Sequence, residues 1–455
     1  MEGQKAQSLD PIVNLCKRKG FVVGSSEIYG GIASIFDYGP LGAELKNNLK
    51  QLWWRTFIHR RDDMVGLDTS IIMHPRVWEA SGHIDSFTDP LVECTKCHQR
   101  FRADHVPAKE EDAKFWRCPE GGEHTLTEPR QFNLLVKTFL GATEDARNAA
   151  FLRGETAQGM FADFKYVLET TRQKVPFGIA QVGKSFRNEL GLGNFLFRLR
   201  EFEIAELEYF VKPGEDDASF DRWVDDWEGF LMAVGLSSEN LRRYPKAQED
   251  LAHYSKATTD IEYNYPFGWG EIAGIANRTD YDLKRHMEYS GKDLSYFDQE
   301  THEKYVPYVI EPTLGVDRLF TAVLCEAYRE YPGGRGQAEG GSADNQEVEV
   351  VLHLKPALAP YKVAVLPLVK KDGLGDKGRE LAQALRQRFT TYYDESGSIG
   401  RRYRRQDEIG TPWCVTVDYQ TLEDSTVTVR DRDTMAQERV AISELSTYIA
   451  ENLET

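Results

Sequence analysis

The fold is decided by FGIAQVGKSFRNELGLGNFLFRLREFEIAELEYF, residues 177–210. Apolar and polar residues alternate on both sides of a short loop that contains glycine, which predicts two antiparallel strands joined as a hairpin. Because successive side chains of a strand point to opposite faces, one face should collect the charged groups. Provided that no bulge intervenes, this face holds Arg187, Glu189, Arg198, Arg200, Phe202, Glu206 and Glu208. The opposite face should hold Phe195, Phe197 and Leu199.

Two interpretations of this charged face are open. Alternating charge is common on the solvated face of an antiparallel sheet. Alternatively, the same residue types suit a nucleotide, since guanidinium groups bind phosphate, an aromatic ring stacks on a base and a carboxylate accepts from an amino group. The residues alone do not choose between these interpretations.

The surrounding sequence indicates several units. Long helices are predicted over residues 43–60 and 215–234 from the spacing of apolar side chains. Residues 332–346, PGGRGQAEGGSADNQ, have no apolar side chain larger than alanine, which is typical of a linker or mobile loop. Beyond it, strands at 361–368, 413–417 and 426–430 with a helix at 378–389 predict an α/β domain with a mixed or parallel sheet. The predicted units are 1–90 with 151–331, an insertion at 91–150, a linker at 332–347 and a domain at 348–455.

Composition excludes several classes of protein. With 455 residues, of which 41% are hydrophobic and 28% charged, the chain can bury sizeable cores and is not a disordered protein. A net charge of −17 argues against a protein that coats nucleic acid by bulk attraction. No apolar run is long enough to span a membrane, and the polar first ten residues do not resemble a secretory signal, so we expect a cytoplasmic location. In that reducing compartment the six cysteines should be core thiols or metal ligands.

Three stretches, in chain order, resemble the motifs of class II aminoacyl-tRNA synthetases. Residues 73–78, MHPRVW, resemble motif 1; QVGKSFRNE with FRLREFE resembles motif 2; and 315–319, GVDRL, resembles motif 3. Four further segments are similar to glycyl-tRNA synthetases of the dimeric type. These are FLRGETAQGMF (151–161), GIANRTDYDLKRH (274–286), SGSIGRRYRRQDEIGTPW (396–413) and TVTVRDRDTM (426–435). Together these stretches extend over nearly the whole chain.

The resemblance implies both a fold and an activity. The fold would be an α+β class II synthetase core, with an antiparallel sheet flanked by helices, followed by a C-terminal α/β anticodon-binding domain. The activity would be that of a homodimeric ligase that uses ATP and Mg²⁺ to activate glycine as glycyl-adenylate and transfers it to the 3′ end of glycine tRNA. In the family, motif 1 forms the dimer interface around its proline. The absence of a G-x-x-x-x-G-K-[ST] loop means that ATP would be bound without that device.

The resemblance assigns an ATP site to Arg187, Glu189, Arg198, Phe202 and Arg318. Arg187 would hold the α-phosphate, Glu189 would read the adenine amino group and Phe202 would stack on the base. Arg318 would cover the other face of the base near the γ-phosphate. Since the attacking glycine carboxylate is already an anion, catalysis by Arg187, Glu189 and Arg318 would consist of positioning and charge neutralisation.

The resemblance also assigns a glycine site. The ammonium group would be held by Glu155, Glu206 and Glu311, and the carboxylate by Arg278. Thr313 would form the wall beside the α-carbon, so that larger amino acids are excluded by collision.

The chain departs from the family pattern at three places. Gly154 stands where the family usually has proline, and Thr313 where it has serine. The motif 2 loop has Leu192-Gly193 in place of a Pro-Arg pair, which removes a contact to ATP or to the tRNA acceptor end. The methyl group of Thr313 should tighten the pocket against alanine.

Cys94-x-x-Cys97 with Cys118 resembles part of a zinc ribbon, which ordinarily requires a fourth ligand. Either His98 or His124 could supply it, and three cysteines are also compatible with a remnant that binds no metal. A bound zinc would be structural.

The arginines of the run RRYRR, Arg401, Arg402, Arg404 and Arg405, are the predicted tRNA-binding residues of the anticodon-binding domain. The alternative interpretation of this run is a solvated face without a binding function.

Two other functions remain open for the whole chain: a synthetase-like accessory protein that binds nucleic acid without catalysis, and a synthetase for another small amino acid.

Overall fold

The structure is a computed structural model that describes residues 3–103, 118–189, 193–335 and 348–453. The helices up to residue 335 are α1 (Asp10–Lys19), α2 (Pro40–Trp54), α3 (Pro75–Ala80), α4 (His83–Ser86), α5 (Ala157–Ala162), α6 (Phe164–Thr171), α7 (Asp216–Ala233), α8 (Tyr281–Ser290) and α9 (Val316–Ala327). The strands of this part are β1 (Val22–Gly24), β2 (Phe36–Tyr38), β3 (Met64–Gly66), β4 (Ile72–Met73), β5 (Thr88–Glu93), β6 (Arg100–Arg102), β7 (Arg130–Asn133), β8 (Val136–Phe139), β9 (Ala149–Leu152), β10 (Phe177–Phe186), β11 (Glu201–Val211), β12 (Leu241–Pro245), β13 (Ala257–Tyr265), β14 (Gly268–Thr279), β15 (Tyr296–Phe297), β16 (Lys304–Tyr305), β17 (Tyr308–Gly315) and β18 (Tyr328–Tyr331).

A seven-stranded sheet forms the centre of this part, in the order β12-β13-β14-β17-β11-β10-β3. Every neighbouring pair is antiparallel except β10 and β3. The strand β11 lies between β10 and β17, and most of its side chains are buried on both faces. The predicted antiparallel sheet is therefore confirmed.

The hairpin of β10 and β11 is formed as predicted. Its paired residues run from Phe177 opposite Phe210 at one end to Phe186 opposite Glu201 at the other. Its connection is longer than the sequence indicated. Residues Phe195–Phe197 form a 3₁₀ turn instead of a strand, and Phe195 has a φ of 57°. The prediction that Phe195 and Phe197 lie on a strand face is therefore wrong, because both rings fold back onto the hydrophobic core from the loop.

Helices α2 and α7 cover one face of the sheet through a cluster of large rings. Trp53 of α2 and Phe57 pack on Trp227, with ring centroids 6.2 and 4.4 Å apart, and Phe57 also contacts Trp223. Aromatic rings bury large apolar areas, so this cluster holds both helices against the sheet. The helix predicted over 43–60 begins earlier, at Pro40, and its last part, Arg55–His59, is a π-helical turn.

Gly42 shows why the first turn of α2 needs a residue without a side chain. A Cβ atom at this position would lie 1.8 Å from the backbone oxygen of Phe21. The close approach lets α2 start directly against the strand β1. A larger residue would push the helix away from the sheet.

Two small sheets lie beside the large one. The first, β6-β5-β7, extends over Thr88–Asn133, with residues 104–117 outside the described part. The second, β4-β9-β8, pairs Ile72 and Met73 with Leu152 and Phe151. The segment that resembles motif 1 is therefore tied to the segment that carries Glu155.

The C-terminal part contains β19 (Glu349–Leu352), β20 (Val363–Pro367), β21 (Thr391–Tyr393), β22 (Trp413–Val417), β23 (Thr426–Asp431) and β24 (Gln437–Ala441), with α10 (Leu374–Leu385), α11 (Ile399–Asp407), α12 (Tyr419–Asp424) and α13 (Ile442–Leu453). The sheet order is β21-β20-β22-β23-β24. Strand β20 is parallel to β21 and β22, and the remaining pairs are antiparallel. The predicted α/β domain with a mixed sheet is confirmed.

The two parts are joined by pairing and by burial. Strand β18 pairs antiparallel with β19 across the undescribed residues 336–347. Leu352, Leu354, Leu358 and Ile409 of the C-terminal part belong to the main hydrophobic core. Of the predicted linker 332–347, the structure describes only residues 332–335. Among the helices of the described ranges, we find none with the length and apolar character that crossing a membrane requires.

Candidate active site

A cleft opens where the hairpin loop, β14 and the start of α9 meet. The residues lining it include Arg187, Glu189, Arg198, Phe202, Thr313 and Arg318. All five predicted ATP-binding side chains thus face one cleft. The prediction for Leu192 lies outside the described residues, and Gly193 is exposed beside them.

Arg187 follows the last residue of β10 and is half-buried between two rings. Its Nε donates to the Gly154 carbonyl at 3.1 Å, and its guanidinium carbon lies 5.2 and 5.3 Å from the ring centres of Phe87 and Phe202. These contacts fix the plane of the guanidinium group, and Arg187 lines the cleft, so its remaining donors suit a phosphate.

Glu189 and Phe202 provide a polar and a flat surface in the same cleft. Glu189 is buried, and its Oε2 has no hydrogen-bond partner within the described residues. A buried oxygen without a donor is costly, so it fits a ligand that brings an N–H group. Phe202 pairs across the hairpin with Ser185 and exposes part of its ring to the cleft.

Arg318 lies in the first turn of α9. Its Nε donates to the Phe197 carbonyl at 3.1 Å, its Nη1 to the Glu271 carbonyl at 2.8 Å, and Glu271 Oε2 is 3.5 Å away. The Phe197 ring centre is 4.3 Å from its guanidinium carbon. The group is therefore held flat at the edge of the cleft, with a weak ion pair on one side.

The neighbouring Asp317 anchors this end of α9, a role that sequence reasoning missed. Its carboxylate accepts from Lys46 Nζ at 2.8 Å and from the Glu203 backbone N–H at 2.6 Å, and also from the Tyr38 hydroxyl. These bonds join α2, β2 and β11 to α9. They thereby position the start of α9, which carries Arg318 into the cleft lining.

Arg278 forms the centre of a buried cluster of charged side chains, which is called the recess from here on. Its Nε and Nη2 donate to the Asp282 carboxylate at 2.7 and 2.9 Å, and its Nη1 donates to Glu311 at 2.7 Å. The ring centre of Tyr254 lies 3.9 Å from the guanidinium carbon. Arg278 is thus held on several sides, although part of its donor set remains available to a ligand.

Glu206 belongs to β11, and its carboxylate lies at the start of the short helix α5. Its Oε2 accepts from the backbone N–H groups of Thr156 and Ala157 at 2.7 and 3.1 Å, and from the Thr156 hydroxyl. Burial, followed by the charge of Glu155, raises the pKa of Glu206. The carboxylate that accepts hydrogen bonds from the N-terminus of α5 is therefore that of Glu206, which lies on β11, although Glu155 is nearer along the chain.

Glu155 is held by two side chains that the sequence did not single out. His83 Nε2 lies 3.3 Å from one carboxylate oxygen, and Gln158 Nε2 donates to the other at 2.9 Å. Burial opposes ionisation of Glu155, but His83 and Arg278 outweigh it and hold its pKa well below the usual range. Glu155 is therefore the ionised acid of the recess.

Glu311 and Glu208 favour the neutral form. Burial raises the pKa of Glu311 to about 8 although Arg278 acts in the opposite direction. Burial and then Glu311 raise the pKa of Glu208 well above its usual value, and neither of its oxygens has a partner within the described residues. A cation bound beside Glu311 would favour its ionised form and expel its proton.

Thr313 connects the recess with the cleft. It lies opposite Glu206 on β11 and Gly274 on β14, and it also lines the cleft. Since side chains two apart on a strand share a face, Glu311 and Thr313 point the same way. The structure therefore brings the predicted glycine-binding side chains together, next to the predicted ATP-binding ones.

The basic run on α11 divides into two faces. Arg401, Arg404 and Arg405 are exposed, and Arg405 pairs with Asp394 at 2.9 Å. Arg402 is fully buried and donates to the carbonyls of Pro367, Asp394 and Leu368 at 2.6, 3.1 and 3.2 Å. The prediction that Arg402 binds tRNA is therefore wrong, because its guanidinium group is buried inside the domain, where both terminal nitrogens donate to backbone carbonyls.

The three cysteines predicted as metal ligands lie together at the end of β5. Cys94, Cys97 and Cys118 are joined there by His124, while His98 points away to Glu93. All six cysteines of the chain are described, and each has a free thiol.

Comparison with known proteins agrees with this geometry. Residues 143–327 match the family of tRNA synthetase class II core domains (G, H, P, S and T), and residues 362–452 match the anticodon binding domain family. The prolyl-tRNA synthetase of Cryptosporidium parvum, solved with halofuginone and AMPPNP, aligns with a TM-score of 0.64 at 15% identity, covering 99% of this chain and 79% of that one. At this identity the match shows the fold alone. The fold and the two matched families define a class II aminoacyl-tRNA synthetase.

Full-length relatives narrow this class. The chain is 53% identical over 468 residues to the glycine–tRNA ligase of Alkaliphilus oremlandii, covering 98% of this chain and 99% of that one. It is 51% identical over 465 residues to the glycine–tRNA ligase of Thermobifida fusca, covering 99% of each. The chain belongs to the glycine–tRNA ligase family. The predictions of fold class, of an aminoacyl-tRNA ligase and of glycine–tRNA ligase function are thereby confirmed.

Proposed function

We propose that the cleft and the recess together form the site at which glycine is activated. A glycine carboxylate oxygen attacks the α-phosphorus of ATP, the bond to the pyrophosphate oxygen breaks, and glycyl-adenylate and pyrophosphate result. The glycyl group is then transferred to the 3′ end of glycine tRNA. The observation that carries this proposal is the adjacency of the two sets of side chains, with Thr313 bordering both.

In the cleft, Arg187 neutralises the α-phosphate and Glu189 accepts from the adenine amino group. The base stacks between Phe202 and the guanidinium group of Arg318, while Arg198 lies at the loop side. Mg²⁺ enters with ATP and offsets the charge of its phosphates. The tightly held guanidinium planes support this assignment, since preorganised charge costs little reorganisation during the reaction.

In the recess, the glycine ammonium group is held by Glu155, Glu206 and Glu311. The glycine carboxylate uses the donors of Arg278 that Asp282 and Glu311 leave available. Thr313 closes the space beside the α-carbon. Since adding a methylene to a substrate changes binding by only about 1–3 kcal/mol, exclusion of alanine depends on collision with this wall.

Glycine-dependent exchange of pyrophosphate into ATP tests the proposal. The wild type should catalyse the exchange, and Arg187→Ala should lower its rate by about 10²–10³-fold, the usual cost of a lost transition-state contact. The matched control is Arg147→Ala, since this side chain is 89% exposed and does not line the cleft.

Three outcomes of this assay contradict the proposal. Absence of exchange in the wild type favours the accessory protein that binds nucleic acid without catalysis. Alanine or serine supporting faster exchange than glycine indicates another amino acid as substrate. Normal exchange by Arg187→Ala would show that Arg187 does not neutralise the α-phosphate.

For tRNA binding we propose the exposed face of α11, with Arg401, Arg404 and Arg405. These side chains are exposed, and contacts to phosphates supply most of the affinity of such complexes. We also propose a homodimer that works in the cytoplasm, with the motif 1 segment at its interface. The exposed side chains of Ile71 and Ile72, 37% and 38% accessible, lie directly before that segment. Sedimentation equilibrium measures the predicted dimer mass.

A further inference from the structure

Four side chains with metal-binding atoms converge outside the active site. The Sγ atoms of Cys94, Cys97 and Cys118 and a ring nitrogen of His124 all lie within 4.8 Å of one another. Cys94 and Cys118 are buried, and the other two are half-buried. The activation of glycine described above uses none of them.

The distances between these atoms fit a tetrahedral metal site. Zinc bonds of about 2.3 Å to sulfur and 2.0–2.1 Å to nitrogen separate neighbouring tetrahedral ligands by roughly 3.5–3.8 Å. Cys94 Sγ lies 3.8 Å from Cys118 Sγ, and Cys97 Sγ lies 3.5 Å from His124 Nδ1. A disulfide would require sulfurs about 2.0 Å apart, so the cysteines are spaced for a shared ion.

Two tight turns present the sulfurs. After Cys94 the chain turns back through hydrogen bonds from His98 N to Cys94 O at 2.9 Å and from Cys94 N to Gln99 O at 2.8 Å. After Cys118 it turns through bonds from Gly121 N to Cys118 O and from Cys118 N to Gly122 O, both 2.9 Å. The two turns bring the Sγ atoms of Cys94 and Cys118 close to each other.

The described residues of the surrounding sheet bury few apolar side chains. In the described residues between 88 and 133, the fully buried apolar side chains are Val92, Cys94 and Cys118. No residue of this stretch belongs to the hydrophobic core clusters found in the described chain. A small sheet whose described residues bury so few apolar side chains usually depends on a metal or a covalent link for stability.

The geometry also decides between the two histidines that the sequence left open. His98 is 75% exposed, and its Nδ1 lies 3.0 Å from Glu93 Oε1. The ring of His124 instead packs edge-on against Phe101, with centroids 4.8 Å apart, which directs a nitrogen toward Cys97. His124 is therefore the histidine of the cluster.

We propose that Cys94, Cys97, Cys118 and His124 bind one zinc ion that stabilises the β6-β5-β7 sheet. The three cysteines bind as thiolates and release their protons to solvent, while His124 binds as the neutral ring. Four protein ligands leave no open position for substrate or water, so the site is structural and takes no part in catalysis.

Metal analysis of the purified full-length chain tests the proposal without reference to ligase activity. After dialysis against metal-free buffer, mass spectrometry should find about one zinc per chain. Cys97→Ser and His124→Ala should each lower this content and lower the midpoint of thermal unfolding. The matched control is His98→Ala, which should keep the full zinc content because this ring is directed away from the cluster.

Measurements on the wild type keep the test decisive if the ligand variants do not fold. Titration of the thiols with p-hydroxymercuribenzoate should release zinc to a chromophoric chelator. Substitution by Co²⁺ should give the charge-transfer and visible bands of tetrahedral cobalt with thiolate ligands. A wild-type chain that stays below about a tenth of a zinc per chain after incubation with zinc overturns the proposal. So does a cobalt spectrum without thiolate bands, or zinc loss in His98→Ala instead of His124→Ala.

Discussion

At the scale of single residues, Glu311 determines how the recess responds to pH. Burial raises its pKa to about 8, so at neutral pH the native chain holds a proton on Glu311 that the unfolded chain would have lost. Because the native state binds more protons over this range, the contribution of Glu311 to stability falls as the pH rises toward about 8. A glycine ammonium group has the opposite effect, since it favours the ionised carboxylate and expels the proton.

We therefore predict that glycine binds more tightly as the pH rises. In pyrophosphate exchange, the KM for glycine should fall by up to about tenfold per pH unit below the pKa and level off near pH 8. Glu311→Gln should weaken binding and flatten this profile. Glu208→Gln is the control and should keep it, because Glu208 is not one of the carboxyl groups proposed to hold the glycine ammonium group. A flat wild-type profile would contradict the proton release.

At the scale of elements, helix α11 separates a structural arginine from surface ones. Arg402 donates to three backbone carbonyls inside the domain, so Arg402→Ala leaves buried acceptors without donors. We expect a loss of about 2–4 kcal/mol in the free energy of unfolding, measured by urea denaturation. Glycine-dependent pyrophosphate exchange should be largely retained, since α11 does not line the cleft.

The matched variant is Arg401→Ala, whose side chain is exposed on the same helix. Its stability should change by less than about 0.5 kcal/mol, whereas its affinity for glycine tRNA should decrease and depend less steeply on salt. If Arg401→Ala destabilised the chain as strongly as Arg402→Ala, the division of α11 into two faces would be incorrect.

At the scale of the whole molecule, Asp407 ties the two parts of the chain together. Its carboxylate binds Arg430 at 2.9 and 3.0 Å and Arg335 at 2.5 Å, and it is fully buried. Arg335 belongs to the segment before residues 336–347 and also binds Glu349 beyond them at 3.0 Å. This network therefore fixes the catalytic part against the α/β domain.

Asp407→Asn should lower the free energy of unfolding by about 3–5 kcal/mol, because it leaves two buried guanidinium groups without their shared charge. Urea denaturation measures this loss. Glu408→Gln is the control: Glu408 pairs with Lys19 in a half-exposed position, where an ion pair contributes about 0–1 kcal/mol. Equal effects of the two substitutions would argue against the role given to Asp407.

Helix periodicity by itself indicates that Arg402 is buried. Ile399, Arg402, Gln406 and Ile409 recur at helical spacing, which places Arg402 on the inner face of α11. Asp282 was similarly visible, four residues after Arg278. In contrast, His83 lies far along the chain from Glu155, and no local pattern joins them.

The hairpin, the antiparallel sheet, the α/β domain and the family followed from the sequence by itself, because strand alternation and ordered motifs are local properties of the chain. Tertiary structure alone decided the 3₁₀ turn at Phe195–Phe197, the proton stored on Glu311 and the choice of His124 over His98. Each of these depends on which distant groups pack around a side chain and exclude water from it. Such burial is a property of the folded molecule that no stretch of sequence carries.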